Sequence, residues 1–150
     1  MAIKLIANNK KAFHDFFISE MLETGIVLVG PEVKSLRAGR ANLKDAYCRV
    51  SGNELFVYQM HISPYDFGNR ENPDPLRTRK LLAHRYEITR LARKMDEKGL
   101  TLVPLRLYFK DGRAKVEIGV AKGKQLHDKR DSLREREARR EMERARSERY

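Results

Sequence analysis

The chain has 150 residues, 41% of them hydrophobic and 35% charged, and carries a formal net charge of +11. That length suits one domain plus an appendage around a modest core, and the surplus of Lys and Arg favours a polyanionic partner, because each cation laid on a phosphate releases condensed counterions. A membrane role is disfavoured: no apolar run approaches the roughly 18 residues that span a bilayer, and the opening Met1-Ala2-Ile3-Lys4-Leu5-Ile6-Ala7-Asn8 lacks the long apolar stretch of a secretory signal.

Along the chain, residues 13–29 read as paired apolar segments ending in Gly25-Ile26-Val27-Leu28-Val29 before the breaker Gly30-Pro31. The period then changes: Val33 and Leu36 are three apart in Glu32-Val33-Lys34-Ser35-Leu36-Arg37, which predicts a short helix ending near Gly39. Tyr47–Val50 and Leu55–Ile62, separated by Ser51-Gly52-Asn53-Glu54, read as a hairpin. Cys48 falls in its first strand and reads as a small core residue. As the single cysteine it excludes an internal disulfide and a paired-cysteine metal site, and the address is cytosolic by default.

Asp74-Pro75 resembles a helix start, an N-cap residue followed by proline at the first helical position. Leu81, Ile88, Leu91 and Met95 continue at helical spacing, and Gly99 is placed to stop the run. The longest helix is therefore expected to open at Asp74. The last hairpin is the clearest local signal. Val103, Leu105, Leu107 and Phe109 alternate with Pro104, Arg106 and Tyr108; after Asp111-Gly112, Ala114, Val116, Ile118 and Val120 alternate with Lys115, Glu117 and Gly119.

Several antiparallel strands with inserted helices in this length predict a mainly β fold, a small closed or nearly closed barrel. Its sheet faces carry Arg49, Arg106 and Lys115 beside Tyr47, Tyr58 and Tyr108. That mixture suits sugar-phosphate and base contacts and equally an ordinary solvated face. From Ala121 the apolar pattern stops. Residues 121–150 hold 11 Lys or Arg and 7 Asp or Glu, a net of +4, leaving +7 for the rest of the chain. Few apolar side chains remain to cover a core, yet Glu135, Arg139 and Glu143 stand four apart on a good helix former. This tail is expected to fray when free, since an isolated helix of that length is marginal, and to become helical when docked on an anion-rich groove.

Catalysis finds no foothold. His14, His61, His84 and His127 show no metal-ligand spacing, and no phosphate loop or nucleophile elbow is present. Glu23, Glu32, Asp45 and Glu54 are scattered, so the chain reads as a non-enzyme without cofactor or metal. Three binding roles stay open from the residues alone: recognition of structured RNA, generic binding of unstructured RNA, or a tail that captures an acidic protein.

Gly30-Pro31-Glu32-Val33-Lys34-Ser35-Leu36-Arg37-Ala38-Gly39-Arg40-Ala41-Asn42 resembles the signature block of the small protein B family of bacterial tmRNA-binding proteins. The similarity continues through His61-Ile62-Ser63-Pro64-Tyr65, Asp74-Pro75-Leu76-Arg77-Thr78-Arg79-Lys80-Leu81-Leu82 and Thr101-Leu102-Val103-Pro104-Leu105. It ends in Gly119-Val120-Ala121-Lys122-Gly123-Lys124 with Asp128-Lys129-Arg130. Pro31, Ala83 and Gln125-Leu126 depart from the family pattern. The resemblance implies an oligonucleotide-binding (OB-like) barrel over residues 1–123, a basic tail over 124–150, no catalysis and a monomer. The implied partners are the tRNA-like domain of tmRNA, for which the body replaces a missing anticodon arm, and the stalled ribosome, whose decoding centre and message channel the tail enters during trans-translation. By motif, Asn9, His14, Glu23, Leu82 and Lys115 are implied as contacting or contact-supporting positions, Lys122, Gly123 and Lys124 as the junction, and His127, Asp128, Lys129 and Arg130 as the ribosome-engaging segment. Glu32, Gly39 and Asn42 read mainly as capping or turn residues.

Overall fold

The computed structural model describes residues 3–65, 72–97 and 99–123. In chain order the elements are β1 (Ile3–Asn8), α1 (Lys10–Asp15), β2 (Phe16–Ile26), α2 (Gly30–Arg37), β3 (Ala41–Asn42) and β4 (Tyr47–Ser51). There follow β5 (Glu54–Tyr58), β6 (His61–Ile62), β7 (Arg79–Leu82), α3 (Arg85–Met95), β8 (Leu100–Lys110) and β9 (Arg113–Gly123). The sheet runs β1-β8-β4-β5-β7-β2-β9, and β9 also pairs with β8. The ring β8-β4-β5-β7-β2-β9 is therefore closed, every pairing is antiparallel, and the expected mainly β barrel with flanking helices is what forms. Closure removes the open edges of the ring itself, while β1 stays outside it as an edge strand on β8.

The β8–β9 hairpin turns on Asp111 (φ +51°) and Gly112 (φ +80°). Two successive positive φ angles define the turn whose twist matches antiparallel strands, and Asp-Gly tolerates it best. Within β8 the simple alternation is broken by a bulge between Pro104 and Arg106. Before it, Leu102 faces the main core while Val103 and Leu105 face outward into a second apolar cluster with Ala12 and Ala121; after it, Leu107 is back in the main core. An extra residue shifts the phase of a strand, which is how β8 serves both layers.

Two segments differ from the sequence expectation. Residues 13–29 are not two apolar segments: α1 precedes a single strand, β2, bulged between Ile18 and Glu20. Asp74 does not open the long helix. Its carboxylate accepts from Leu76 N at 2.9 Å and its carbonyl from Arg77 N at 3.1 Å, which closes a turn and no more. Residues 79–82 form β7, paired with β5 and β2, and the helix begins only at Arg85. Arg79 and Leu81 point inward while Lys80 and Leu82 point out, and filling the gap between β5 and β2 overrode the helical spacing. Gln59 (φ +60°) likewise ends β5, so His61–Ile62 leaves the hairpin to pair with β3.

Helix α2 follows the expectation, with Ala38 as C-cap and Gly39 at φ +73°. Cys48 is buried in the main core, and burial pushes its thiol pKa well up. Helix α3 sends Ile88 and Leu91 into that core, which can be reached only through an open end, so α3 covers one end of the barrel. Arg90 and Lys94 on α3 pair with Glu20 of β2, the latter at 2.9 Å. Strand β9 finishes at the same end, where Lys122 lies opposite Leu100, the residue that leads from α3 into β8.

Candidate nucleic-acid interface

Directly opposed residues in neighbouring strands share a face of the sheet. The register places Leu82 of β7 beside Gly25 of β2, Gly25 beside Lys115 of β9, Lys115 beside Tyr108 of β8, and Tyr108 beside Leu5 of β1. A second row on the same outer wall runs Glu23, Glu117, Arg106 and Asn8. Residues 23, 82 and 115, far apart in the chain, thus lie side by side. Leu82 and Leu5 give the row apolar ends, 50% and 55% exposed. A Cβ on residue 25 would sit 3.2 Å from that of Leu82, so glycine there leaves room for the leucine.

The centre of the wall is ionic. Glu23 accepts from the Tyr108 hydroxyl at 2.5 Å and from Lys110 Nζ at 3.4 Å. The Tyr108 hydrogen bond, aided by Lys110 and the charge of Lys115, holds the Glu23 carboxyl below the ordinary carboxylate range. Burial and the same carboxylate push the Tyr108 pKa up. Arg106 pairs with Glu117 at 2.5 Å. Cations beside fixed carboxylates make this a hydrogen-bonding surface rather than a bare polycation, able to meet base edges and 2′-hydroxyls as well as phosphates.

Helix α1 borders the wall. Ala12 packs with Val103, Leu105 and Ala121, and Arg106 Cζ lies 5.1 Å from the centre of the Phe13 ring. The helix is short and depends on Asn9, whose buried side chain accepts from Ala12 N at 3.1 Å and donates to the Pro104 carbonyl at 2.8 Å. Asn9 therefore supports the surface from beneath. His14 projects from the last turn of α1, its Nδ1 3.0 Å from Oδ1 of the buried Asp15.

The structure thus gathers Glu23, Leu82 and Lys115 on one wall, while His14 lies apart from them on α1, beside Asp15. Lys122 is exposed but alternates out of phase with Lys115, at the barrel end, next to Gly123 opposite Phe16. Lys124 and the tail residues His127, Asp128, Lys129 and Arg130 lie outside the described residues. The tyrosines read as one mixture are divided: Tyr47 and Tyr58 stack at 5.2 Å with Arg49 over Tyr47 on β4–β5, whereas Tyr108 is buried under its bond to Glu23. That bond, between residues 85 apart, has no local signal in the sequence.

Glu32 and Arg79 were also beyond sequence reasoning in their full role. Arg79 is 0% and Glu32 1% exposed, and the two are joined at 2.5 Å. Arg79 also donates to the carbonyls of Met60 and Pro75, while Arg77 and Val29 N donate to Glu32. Burial raises the Glu32 pKa, but the hydrogen bonds from Arg77, Val29 N–H and Arg79 outweigh it and leave the carboxyl below its ordinary value. The network ties α2 to β7 and supports the expected structural role of Glu32; Asn42 likewise caps a turn, accepting from Lys44 N at 2.8 Å. Among the described residues no group of three or more His, Cys, Asp or Glu could hold a metal, and no helix is long and apolar enough to cross a membrane.

Residues 6–148 match the family described as SmpB protein. Over 150 residues, all of both chains, the sequence is 67% identical to the SsrA-binding protein of Syntrophotalea carbinolica. It is 58% identical to that of Geobacter metallireducens over 99% of this chain and 97% of the relative, and 61% identical to that of Geobacillus kaustophilus over 95% and 92%. A solved chain described as "tmRNA-SmpB: a journey to the center of the bacterial ribosome" superposes with a TM-score of 0.70 at 45% identity, covering 85% of this chain and 93% of that one. With a closed barrel, a mixed cationic wall and this identity along its whole length, the chain belongs to the SmpB family.

Proposed function

We propose that this protein binds tmRNA, the SsrA RNA, and brings it to stalled ribosomes for trans-translation. The observation that carries the reading is the wall on which Glu23, Leu82 and Lys115 converge from β2, β7 and β9. These are positions the family resemblance selects for contact with the tRNA-like domain. Lys115 supplies a cation for phosphate, Glu23 accepts from a base edge or ribose hydroxyl, and His14 stacks on a base or sugar. Leu82 adds an apolar contact, and Asn9 fixes α1 beneath them.

In this reading residues 1–123 form the RNA-binding body. Lys122, Gly123 and Lys124 form the junction, and residues 124–150 form the tail that engages the decoding centre and message channel through His127, Asp128, Lys129 and Arg130. The protein acts in the cytoplasm as a monomer and catalyses nothing: it supplies shape and charge, and the ribosome supplies chemistry.

The test compares binding of the tmRNA tRNA-like domain with that of an equal-length RNA hairpin across a salt titration. A preference that survives at physiological salt supports recognition of shape. Affinities that are equal and collapse together as salt rises identify a generic polycation and overturn the proposal.

A further inference from the structure

Gly25 stands in β2 with ordinary strand geometry: its φ is not positive, unlike those of Gly39, Gly52, Gly99 and Gly112. The bulge in β2 lies elsewhere, between Ile18 and Glu20. Glycine is therefore not needed here for a turn or a bulge. In a strand it gives up packing and costs conformational entropy, and it often marks the close approach of another group. What approaches is Leu82. A Cβ added at residue 25 would meet Leu82 Cβ at 3.2 Å, Cδ1 at 3.5 Å and Cγ at 3.7 Å, whereas directly opposed Cβ atoms normally stand about 4.5–5.5 Å apart. The leucine side chain thus leans over the β2 backbone, toward the side where Lys115 of β9 stands.

Both strands are anchored at this point. Beside Gly25, the buried Thr24 hydroxyl ties β2 to β9 by donating to the Val116 carbonyl at 2.8 Å. Strand β7 is held by its inward residues: Leu81 is buried in the main core, and Arg79 donates to Glu32 and to the Met60 carbonyl. The Leu82 Cβ moves only with that backbone, so a methyl on residue 25 must tilt the leucine off its seat. Where it lies, Leu82 is 50% exposed, and Val27, two residues on from Gly25 and 45% exposed, extends the apolar floor. Among the described residues, Lys115 has no carboxylate within ion-pair distance. An apolar floor and an open ammonium therefore stand side by side.

We propose that Gly25 is a positioning residue of the RNA-binding wall. Without a side chain it seats Leu82 over the β2 backbone, so that one nucleotide meets the leucine with its ribose or base face and Lys115 with its phosphate. This deepens the function proposed above and rests on it. Leu82 and Lys115 stand on strands about 10 Å apart, one strand spacing on either side of Gly25, and a side chain on residue 25 would fill the space between them. An aliphatic floor offers no donor or acceptor, so this contact reads no base edge and tolerates any sequence. What it adds is apolar burial next to a phosphate contact that alone would grip RNA of any shape.

Gly25→Ala, Leu82→Ala, the two combined and Lys115→Gln are made in the full-length chain, and the thermal midpoint verifies the fold of each. Binding of the tmRNA tRNA-like domain is titrated across salt beside an equal-length RNA hairpin. Leu82→Ala weakens binding of the tRNA-like domain about 4-fold to about 12-fold, as expected for burial of the exposed half of a leucine. Gly25→Ala keeps the leucine but displaces it, and weakens binding by about 3-fold or more. Added to Leu82→Ala it changes affinity by less than about 2-fold, because no leucine remains to be seated. Both single variants leave the slope of log affinity against log salt unchanged, whereas Lys115→Gln lowers its magnitude by about 0.7–0.9. In wild type, an NOE joins the Leu82 methyls to the Gly25 α-protons, and both signals shift when the tRNA-like domain is added, a readout that needs no variant. Equal losses from Gly25→Ala with and without Leu82 overturn the proposal, since they mark a merely structural glycine. Unchanged affinity in Gly25→Ala, a fallen salt slope in that variant, or absence of the NOE overturns it as well. Failure of wild type to prefer the tRNA-like domain over the hairpin would instead sink the proposed function, with the seating of Leu82 still readable from the NOE.

Discussion

The Tyr108 hydroxyl reaches over β9 to donate to Glu23 on β2, so one hydrogen bond helps to fix a carboxylate at the middle of the outer wall. Tyr108→Phe keeps the ring in its buried site and removes only the donor. A hydrogen bond to a charged group contributes about 1.5–3 kcal/mol, less where water reaches the carboxylate as it does here, so the expected loss of stability is about 1 kcal/mol. The Glu23 pKa should rise in a carboxyl-resolved NMR titration, and affinity for the tRNA-like domain should fall more than stability does. An unchanged Glu23 titration would show that Tyr108 does not position it.

Truncation after Gly123 separates body from tail. Binding of the tRNA-like domain should remain near the wild-type level, while tagging on stalled ribosomes is abolished. Loss of tmRNA binding in the truncated chain would refute this division of labour.

The Glu32–Arg79 pair is sealed from solvent; without Arg79, Glu32 keeps Arg77 and the Val29 N–H, but it loses its buried partner and the Met60 carbonyl loses the Arg79 hydrogen bond. Arg79→Met should cost about 1–3 kcal/mol in urea unfolding through the buried acceptors it leaves short of a donor, more than Lys80→Met on the exposed side of the same strand. Glu20, Glu23 and Glu32 all have folded-state pKa values below the ordinary 4.5. Their contribution is complete above that value and drains away as pH falls below it, because the unfolded chain then takes up more protons. The urea midpoint should decline below about pH 4.5, and Glu32→Gln should flatten that decline. A midpoint that rises on acidification would contradict the assignment.

Gly119 lies under the second apolar cluster, where a Cβ would stand 2.7 Å from Leu105 Cδ1 and 3.0 Å from Ile18 Cγ2. Gly119→Ala should therefore destabilise by about 1–3 kcal/mol through overpacking and shift α1 against the barrel. Gly30→Ala, with open space at its Cβ, is the control. Equal unfolding midpoints for the two variants would show that the cluster gives way freely.

What could be read along the chain was local. A two-residue period around Asp111-Gly112 dictates the β8–β9 hairpin, because strands joined by a tight turn need no distant partner. The short helix α2, the burial of Cys48, the surplus of cations and the family itself were likewise legible. Helix α1 was missed because its six residues are held by Asn9 reaching the Pro104 carbonyl, 95 positions away. Arg79-Lys80-Leu81-Leu82 carries a helical signal because Leu81 continues the spacing of Ile88 and Leu91, and only the gap between β5 and β2 makes it a strand.

The sequence by itself determined the barrel class, the cationic character and the membership of the SmpB family, since these rest on composition, short-range periodicity and motif order. The tertiary structure alone decided that Glu23, Leu82 and Lys115 share a wall, that Tyr108 is a buried donor rather than a free stacking ring, and that Leu82 lies over Gly25. The physical reason is register. A strand shows alternate residues to opposite faces, so which distant side chains meet depends on the pairing of whole strands and on each bulge that resets the phase.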